Sequence, residues 1–322
     1  MSFIKYPIIF QPILKDRIWG GTKLKTCLGK EIESTEVGES WELSGVTNDV
    51  SIVANGNYQG WDLGQLLEQF PEEILGKRIF KRFHHQFPLL FKFLDAKEDL
   101  SIQLHPSNEL AAKRHQTFGK TEMWYVMAAD EGARVVVDFK EGVTESDYLR
   151  HLENKTLPSI LNEIEVKQGD VFFIKTGTVH AIGKGVLLAE IQQTSDITYR
   201  VYDWDRVDAE GKSRELHVDL ALEAINYDKK EAEITYNKFK NQENSVVTCP
   251  YFTVNYLCLE GEFEKENNQD CFIVYVCTAG SCEFFIDDIS YKYKEGDTIL
   301  LPAAINQIKI RGEATLLEIF VP

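Results

Sequence analysis

A chain of 322 residues, 43% hydrophobic and 27% charged, has an ordinary globular composition and is long enough to bury a full core without disulfides or a structural metal. Its formal charge of −16, from 35 Lys and Arg against 51 Asp and Glu, argues against a broad basic surface for nucleic acid or anionic lipid. A small anionic ligand remains open, because one or two well-placed cations dominate a local field whatever the net charge.

Residues 1–7 lack the charged and apolar regions of a signal peptide, and no apolar run approaches the roughly 18 residues that span a bilayer. The six cysteines (27, 249, 258, 271, 277 and 282) form no C-x-x-C pair and read as buried free thiols of a cytoplasmic protein. A short β-rich run at 51–54 precedes Asn55-Gly56, a two-residue hairpin signal. Leu63, Leu66, Leu67, Phe70 and Ile74 follow helical spacing, with a break or restart at Pro71; a basic helix end precedes His84 and His85. Strands are expected at 123–127, 133–139, 170–175, 186–191 and 272–276. Helices are expected at 145–154 and around Leu216, Leu220 and Ala224. The chain turns polar between Asp228 and Ser245, which places a domain boundary at 238/239. Short strands divided by Gly, Asn and Asp predict an all-β protein of antiparallel barrels or sandwiches, not βαβ units, and no glycine-rich phosphate loop is present. Gly169-Asp170 opens one apolar strand and Gly296-Asp297 another, 127 residues later, as expected of two β-domains of related build.

Histidine is scarce, with seven in the chain. Gln103 and His105 are two apart and share a strand face; Glu122 opens a strand; His180 follows the Gly177 turn. Two imidazoles, a carboxylate and an amide oxygen suit a mononuclear Zn²⁺ site, and the His/His/Glu subset also suits Fe²⁺. His84, His85, His115, His151 and His217 read as structural.

The spacing Gly169-x5-Lys175-x-Gly177-x2-His180 resembles the second cupin motif, with Lys175 in place of its Pro and Lys184 in place of its Asn. Arg17-Ile18-Trp19-Gly20-Gly21, Gly38-Glu39-Ser40-Trp41, Leu94-Asp95-Ala96-Lys97, Ser101-Ile102-Gln103-Leu104-His105-Pro106, Gly119-Lys120-Thr121-Glu122-Met123-Trp124 and Ile197-Thr198-Tyr199-Arg200-Val201-Tyr202-Asp203-Trp204 together resemble the type I phosphomannose isomerases, in their short bacterial branch. The resemblance implies two cupin-like jelly-roll barrels with helical additions: residues 1–238 catalytic and metal-binding, residues 239–322 a degenerate cupin. It implies one Zn²⁺ per chain and interconversion of mannose 6-phosphate and fructose 6-phosphate. The metal ligands would be Gln103, His105, Glu122 and His180, with Arg200 at the catalytic position and Lys120 and Glu190 beside it.

Residue chemistry fits these roles. An enediolate puts negative charge on the sugar oxygens, and Arg200 is a fixed cation for it; an ion pair with Asp203 or Asp205 is its alternative. Glu190, among Val186, Leu187, Leu188, Ala189 and Ile191, is expected to be a desolvated carboxylate suited to act as general base, with Lys120 its rival. Ser101 shares the face of Gln103 and is placed to donate to the phosphate; Trp19 is placed to wall the sugar. In the second domain the position equivalent to His180 is Gln307, and no His follows His217. An Fe²⁺ oxygenase and a non-catalytic sugar-binding cupin are the competing readings; the expected partner is a small sugar phosphate, with no nucleic acid and no membrane.

Overall fold

The computed structural model describes residues 2–207, 210–228, 231–287 and 289–322. In chain order the strands are β1 (Ile13–Gly21), β2 (Val37–Leu43), β3 (Gly45–Val46), β4 (Asp49–Val50), β5 (Leu89–Asp95), β6 (Ile102–Leu104) and β7 (Glu122–Ala129). There follow β8 (Arg134–Phe139), β9 (Leu161–Glu165), β10 (Val171–Ile174), β11 (His180–Ile182), β12 (Val186–Gln193) and β13 (Tyr199–Tyr202). The carboxyl-terminal part adds β14 (Glu243–Thr248), β15 (Thr253–Glu266), β16 (Ile273–Ile286), β17 (Ile289–Lys294), β18 (Thr298–Leu301) and β19 (Gln307–Phe320). The helices are short: α1 (Lys23–Thr26), α2 (Leu63–Gln69), α3 (Pro71–Leu75), α4 (Lys77–Phe83), α5 (Asn108–His115), α6 (Glu145–Glu153) and α7 (Val218–Leu222).

Three large antiparallel sheets carry the fold. The first runs β1-β2-β5-β12-β7-β10, the second β13-β6-β11-β8-β9, and the third β14-β15-β19-β16-β17 with β18 also on β16. Strand β12 shows why they stack. All eight of its residues are buried, because the period of two sends alternate side chains to two covered faces. Leu188 joins Val135, Val137 and Ile182 of the second sheet in one core. Leu187, Ala189 and Ile191 join Val254, Val274, Leu317 and Ile319 of the third sheet, together with Leu66 and Ile74 from α2 and α3, in another. Tyr148 of α6 and Ala221 of α7 cover the far side of the second sheet through Ile102, Val136 and Tyr199. Among the described residues no helix is long and apolar enough to cross a membrane.

The helices expected around 63–74 and at 145–154 form, whereas of Leu216, Leu220 and Ala224 only Leu220 lies in α7 and Leu216 is exposed. Asp62 caps α2 with a capping box to Gln65, and Pro71 occupies the first turn of α3. The expected Asn55-Gly56 hairpin is not formed. Gly56 opens a 3₁₀ turn to Tyr58. The Asn55 side chain accepts from Ile9 N at 3.1 Å and donates to Pro7 O at 3.0 Å, so distant partners outcompete a local turn. The strand expected at 51–54 shrinks to single bridges at Ile52 and Val53.

The internal echo is a true structural repeat. Gly169 and Gly296 have φ of +87° and +89°. Asp170 accepts from Lys167 N and Asp297 from Lys294 N, both at 2.8 Å. Gly169 N donates to Val126 O in β7, and Gly296 N to Cys277 O in β16. The registers then equate Glu190 with Glu318 and Trp124 with Tyr275, since Glu190 faces Trp124 and Glu318 faces Tyr275. Likewise Glu122 faces Ile174, and Ile273 faces Leu301, so the second barrel carries Ile273 where the first carries Glu122.

Candidate active site

Two rows of side chains define the site. On the first sheet, Trp41, Lys92, Glu190 and Trp124 are successive cross-strand neighbours through β2, β5, β12 and β7. On the second, Arg200, Gln103 and His180 are neighbours through β13, β6 and β11. Glu122 lies two residues before Trp124 and faces Gln192. His105 follows Gln103 by two, just beyond β6. The turn before His180 is fastened to this strand end: Gly177 N donates to His105 O at 2.9 Å. Gly177 has φ +80°, and a Cβ there would stand 2.6 Å from Ala224 O, so only glycine fits.

His105, Glu122 and His180 converge with one ligand atom each, all within 4.8 Å of one another, and all three are buried. His105 Nδ1 donates to Ile197 O and His180 Nδ1 to Thr178 O, each at 2.9 Å. Both Nε2 lone pairs therefore turn toward Glu122, at 3.4 and 3.6 Å. His105 Nε2 and both Glu122 oxygens are buried with no hydrogen-bond partner. Burial, with Lys120 nearby, brings His105 down to about 4, and burial also lowers His180. Burial would raise Glu122, but Lys120 and His105 override it and hold the carboxyl well below its usual range. Two neutral imidazoles and an ionised carboxylate are the ionisation states a divalent metal requires. Gln103 borders this set, its Nε2 3.4 Å from His180 Nε2 and its Oε1 3.5 Å from Ser101 Oγ. A half-turn of the amide aims its oxygen at the same point.

A cleft of about 400 Å³ opens over the set, lined among others by Trp19, Ser101, Gln103, Lys120, Glu190 and Arg200. Lys120 Nζ lies 3.0 Å from Glu122 and 3.6 Å from Glu190. Burial disfavours the Lys120 charge, yet these two carboxylates raise its pKa above the usual lysine range. Arg200 Nε donates to Ser101 Oγ at 3.2 Å and Nη1 to Glu215 O at 3.1 Å. The alternative ion pair with Asp203 is taken instead by Arg206 and Arg214, and Asp205 pairs with Lys155.

One expectation is corrected. Glu190 is buried, but its carboxylate is not in apolar surroundings. Lys92 Nζ is 3.2 Å away, Lys120 Nζ 3.6 Å, and Trp124 Nε1 donates to it at 3.1 Å. The apolar neighbours Leu187, Ala189 and Ile191 point to the other face of β12. Lys92 and Glu39 were given no role of their own in the sequence, and the contact of His217, read as structural, with Arg200 was not foreseen. Lys92 had a signal, a lone cation inside the apolar run Leu89–Asp95. His217 had none: its Nδ1 accepts from Arg200 N at 3.1 Å and its own N–H donates to Arg200 O at 2.7 Å, a contact between segments apart in sequence.

A barrel pair with a buried His–Glu–His set beneath a polar cleft defines a cupin with a candidate metal centre. Comparison with known proteins narrows this. The model "Phosphomannose isomerase type I, catalytic domain" matches residues 8–143, and "Mannose-6-phosphate isomerase, cupin domain" matches residues 242–321. The mannose-6-phosphate isomerase ManA of Bacillus subtilis is 36% identical over 96% of this chain and 96% of its own. A Streptococcus mutans mannose-6-phosphate isomerase is 34% identical over 97% of each. The crystal structure of a Bacillus subtilis mannose 6-phosphate isomerase superposes with a TM-score of 0.89 at 34% identity, covering 97% of this chain and 99% of that one. The chain belongs to the type I phosphomannose isomerase family. It is an isomerase, which sets aside the oxygenase and sugar-binding readings.

Proposed function

We propose that the chain interconverts mannose 6-phosphate and fructose 6-phosphate through an enediolate, with one Zn²⁺ held by His105, Glu122, His180 and Gln103. The observation that carries the metal set is the convergence of His105, Glu122 and His180, all buried, with one ligand atom each within 4.8 Å of one another. A bound Zn²⁺ supplies Lewis-acid stabilisation of charge on the sugar oxygens. With one carboxylate and three neutral ligands the centre keeps a net positive charge, which a second carboxylate at position 103 would cancel.

Glu190 takes the proton from C2 of the aldose and returns it to C1. Lys92 and Trp124 fix its carboxylate in place on the first sheet. Lys120, at the same edge of the cleft, donates to the sugar oxygens between which the hydroxyl proton moves. Arg200, locked by Ser101 and Glu215, presents its cation to the developing oxyanion from the second sheet. Trp19 walls the sugar and Ser101 contributes to binding it. Residues 1–238 carry the catalytic barrel, and residues 239–322 form a barrel without the metal set. The setting is the cytoplasm, where sugar phosphates and free thiols coexist.

The test is a coupled assay of fructose 6-phosphate conversion run beside metal analysis of the purified protein. The expected result is conversion that tracks about one zinc per chain. Zinc-loaded protein that leaves fructose 6-phosphate unchanged overturns the reading.

A further inference from the structure

Six cations and four carboxylates line the cleft, on a chain of net charge −16. Partner accounting sorts those cations along its length. Near the metal set, Lys120 and Lys92 are committed to Glu122 and Glu190. Lys15 is committed to Asp49. Arg17 and Arg214 differ. Arg214 gives Nε and Nη2 to Asp203, at 2.6 and 2.5 Å, and no described residue engages its Nη1. Arg17 gives Nε to Glu39 at 2.7 Å and Nη1 to Asp16 O at 3.2 Å, and no described residue engages its Nη2. Each guanidinium is thus oriented by a carboxylate while keeping donors for a ligand, and both line the cleft.

Their placement is built in. Lys15, Arg17 and Trp19 alternate onto one face of β1. A Cβ at Gly38 would stand 2.5 Å from Trp19 Cζ3 and 2.7 Å from the Arg17 Cβ, so glycine is needed for these side chains to lie across β2. Arg214 is held by the Asp203 carboxylate, which Arg206 shares. Arg200 stands among like charges: burial first, then Arg214, and after the opposing Asp203 also Arg206 and Arg17, lower its pKa. A dianion between them would relieve that repulsion.

We propose that Arg17 and Arg214 form a two-arginine clamp for the substrate's phosphate, at the end of the cleft away from the His–Glu–His set. Arg200, the cross-strand neighbour of Gln103, also lies near enough to Arg214 and Arg17 to feel their charges. A sugar phosphate lying along the cleft then has its C1–C2 end at the metal set and its phosphate at the clamp. Planar guanidinium forks suit a phosphate better than lysine point charges. The clamp rests on the sugar-phosphate reading above.

The test compares Arg17→Met, Arg214→Met and Arg206→Met. Arg206 shares the Asp203 carboxylate but does not line the cleft. It therefore reports what loosening that bracket does by itself. Steady-state kinetics with mannose 6-phosphate are paired with equilibrium binding of inorganic phosphate, which needs no turnover. The expected result is a KM raised about tenfold or more in each clamp variant, with kcat within about threefold. Phosphate binding should weaken in parallel, Arg214→Lys should recover part of it, and Arg206→Met should leave both near wild type. An unchanged KM and phosphate affinity, a fall in kcat at constant KM, or an equal KM loss in Arg206→Met overturns the clamp. Wild-type protein that fails to turn over mannose 6-phosphate instead overturns the functional reading, and the phosphate-binding arm still judges the clamp.

Discussion

At the scale of single residues, the proposed chemistry rests on carboxylates whose surroundings are set by cations. Glu190 is the sharpest case, because the repeat supplies its own control. Glu318 occupies the equivalent place in the second barrel, bonded to Tyr275 OH at 2.6 Å and Asn255 Nδ2 at 2.9 Å, with Ile273 where Glu122 stands in the first. Glu190→Gln keeps size and reach but cannot accept a proton. It should lower kcat by about 10²–10⁴-fold and abolish exchange of the substrate's C1 or C2 hydrogen with solvent, while zinc stays bound. Glu318→Gln should leave exchange intact. Exchange at wild-type rate in Glu190→Gln would remove the base role from Glu190. Glu39 carries a stability prediction. Burial would raise its pKa, but Lys92 and then Arg17 bring it from 4.5 down to about 2. A carboxylate depressed in the folded state stabilises fully above its unfolded pKa, and that contribution fades as pH falls toward the folded value. Wild type should exceed Glu39→Gln by about 3 kcal/mol at pH 7 in urea unfolding, an order-of-magnitude figure. The margin should shrink between about pH 5 and pH 2; a flat difference across that window would show the pair is not electrostatic.

At the scale of elements, sequence reading succeeded where chemistry is local and failed where partners are distant. The proposed ligands Gln103 and His105 were legible because a period of two is a property of one strand. Helices α2 and α3 were legible through spacing and Pro71, and α6, expected at 145–154, is capped by Thr144 with a capping box. The Asn55 turn failed because its side chain is claimed by residues 7 and 9. The surroundings of Glu190 failed for a related reason: the apolar residues next to it in sequence lie on the opposite face, and the residues that touch it come from β5 and β7. The turn before His180 is the element that joins the two kinds of information. Gly177→Ala forces an L-residue into φ +80° with its Cβ against Ala224 O. We expect a loss of about 1–3 kcal/mol in the metal-free protein, and faster zinc loss on dialysis against chelator, because the same turn holds the carbonyl of His105. A variant with lowered melting temperature but undiminished zinc retention would separate the turn from the metal set.

At the scale of the molecule, each barrel keeps a core of its own, and the two share a further one. The outward face of the first sheet, with Phe91, Phe93, Met123, Leu187, Ala189 and Ile191, is covered by Val254, Val274, Val276, Leu317 and Ile319 of the third. Phe87 packs on Phe272 with ring centroids 4.8 Å apart. The amino-terminal segment crosses over as well: Ile8 exchanges both backbone hydrogen bonds with Leu300, at 2.8 Å each. Such continuity was not legible in the sequence, because β12 reads as an apolar run whether its second face meets a helix or another barrel. The third sheet thereby closes the back of the sheet that carries Glu122 and Glu190. Residues 1–238 expressed alone should therefore expose a contiguous apolar face and yield aggregated or loosely packed protein, without a cooperative thermal transition and without isomerase activity. Co-expression with residues 239–322 should restore both, since the interface is non-covalent. A monomeric 1–238 fragment that unfolds cooperatively and turns over mannose 6-phosphate at the full-length rate would show that the catalytic barrel stands by itself. The shared core would then be a docking surface, not a condition of folding.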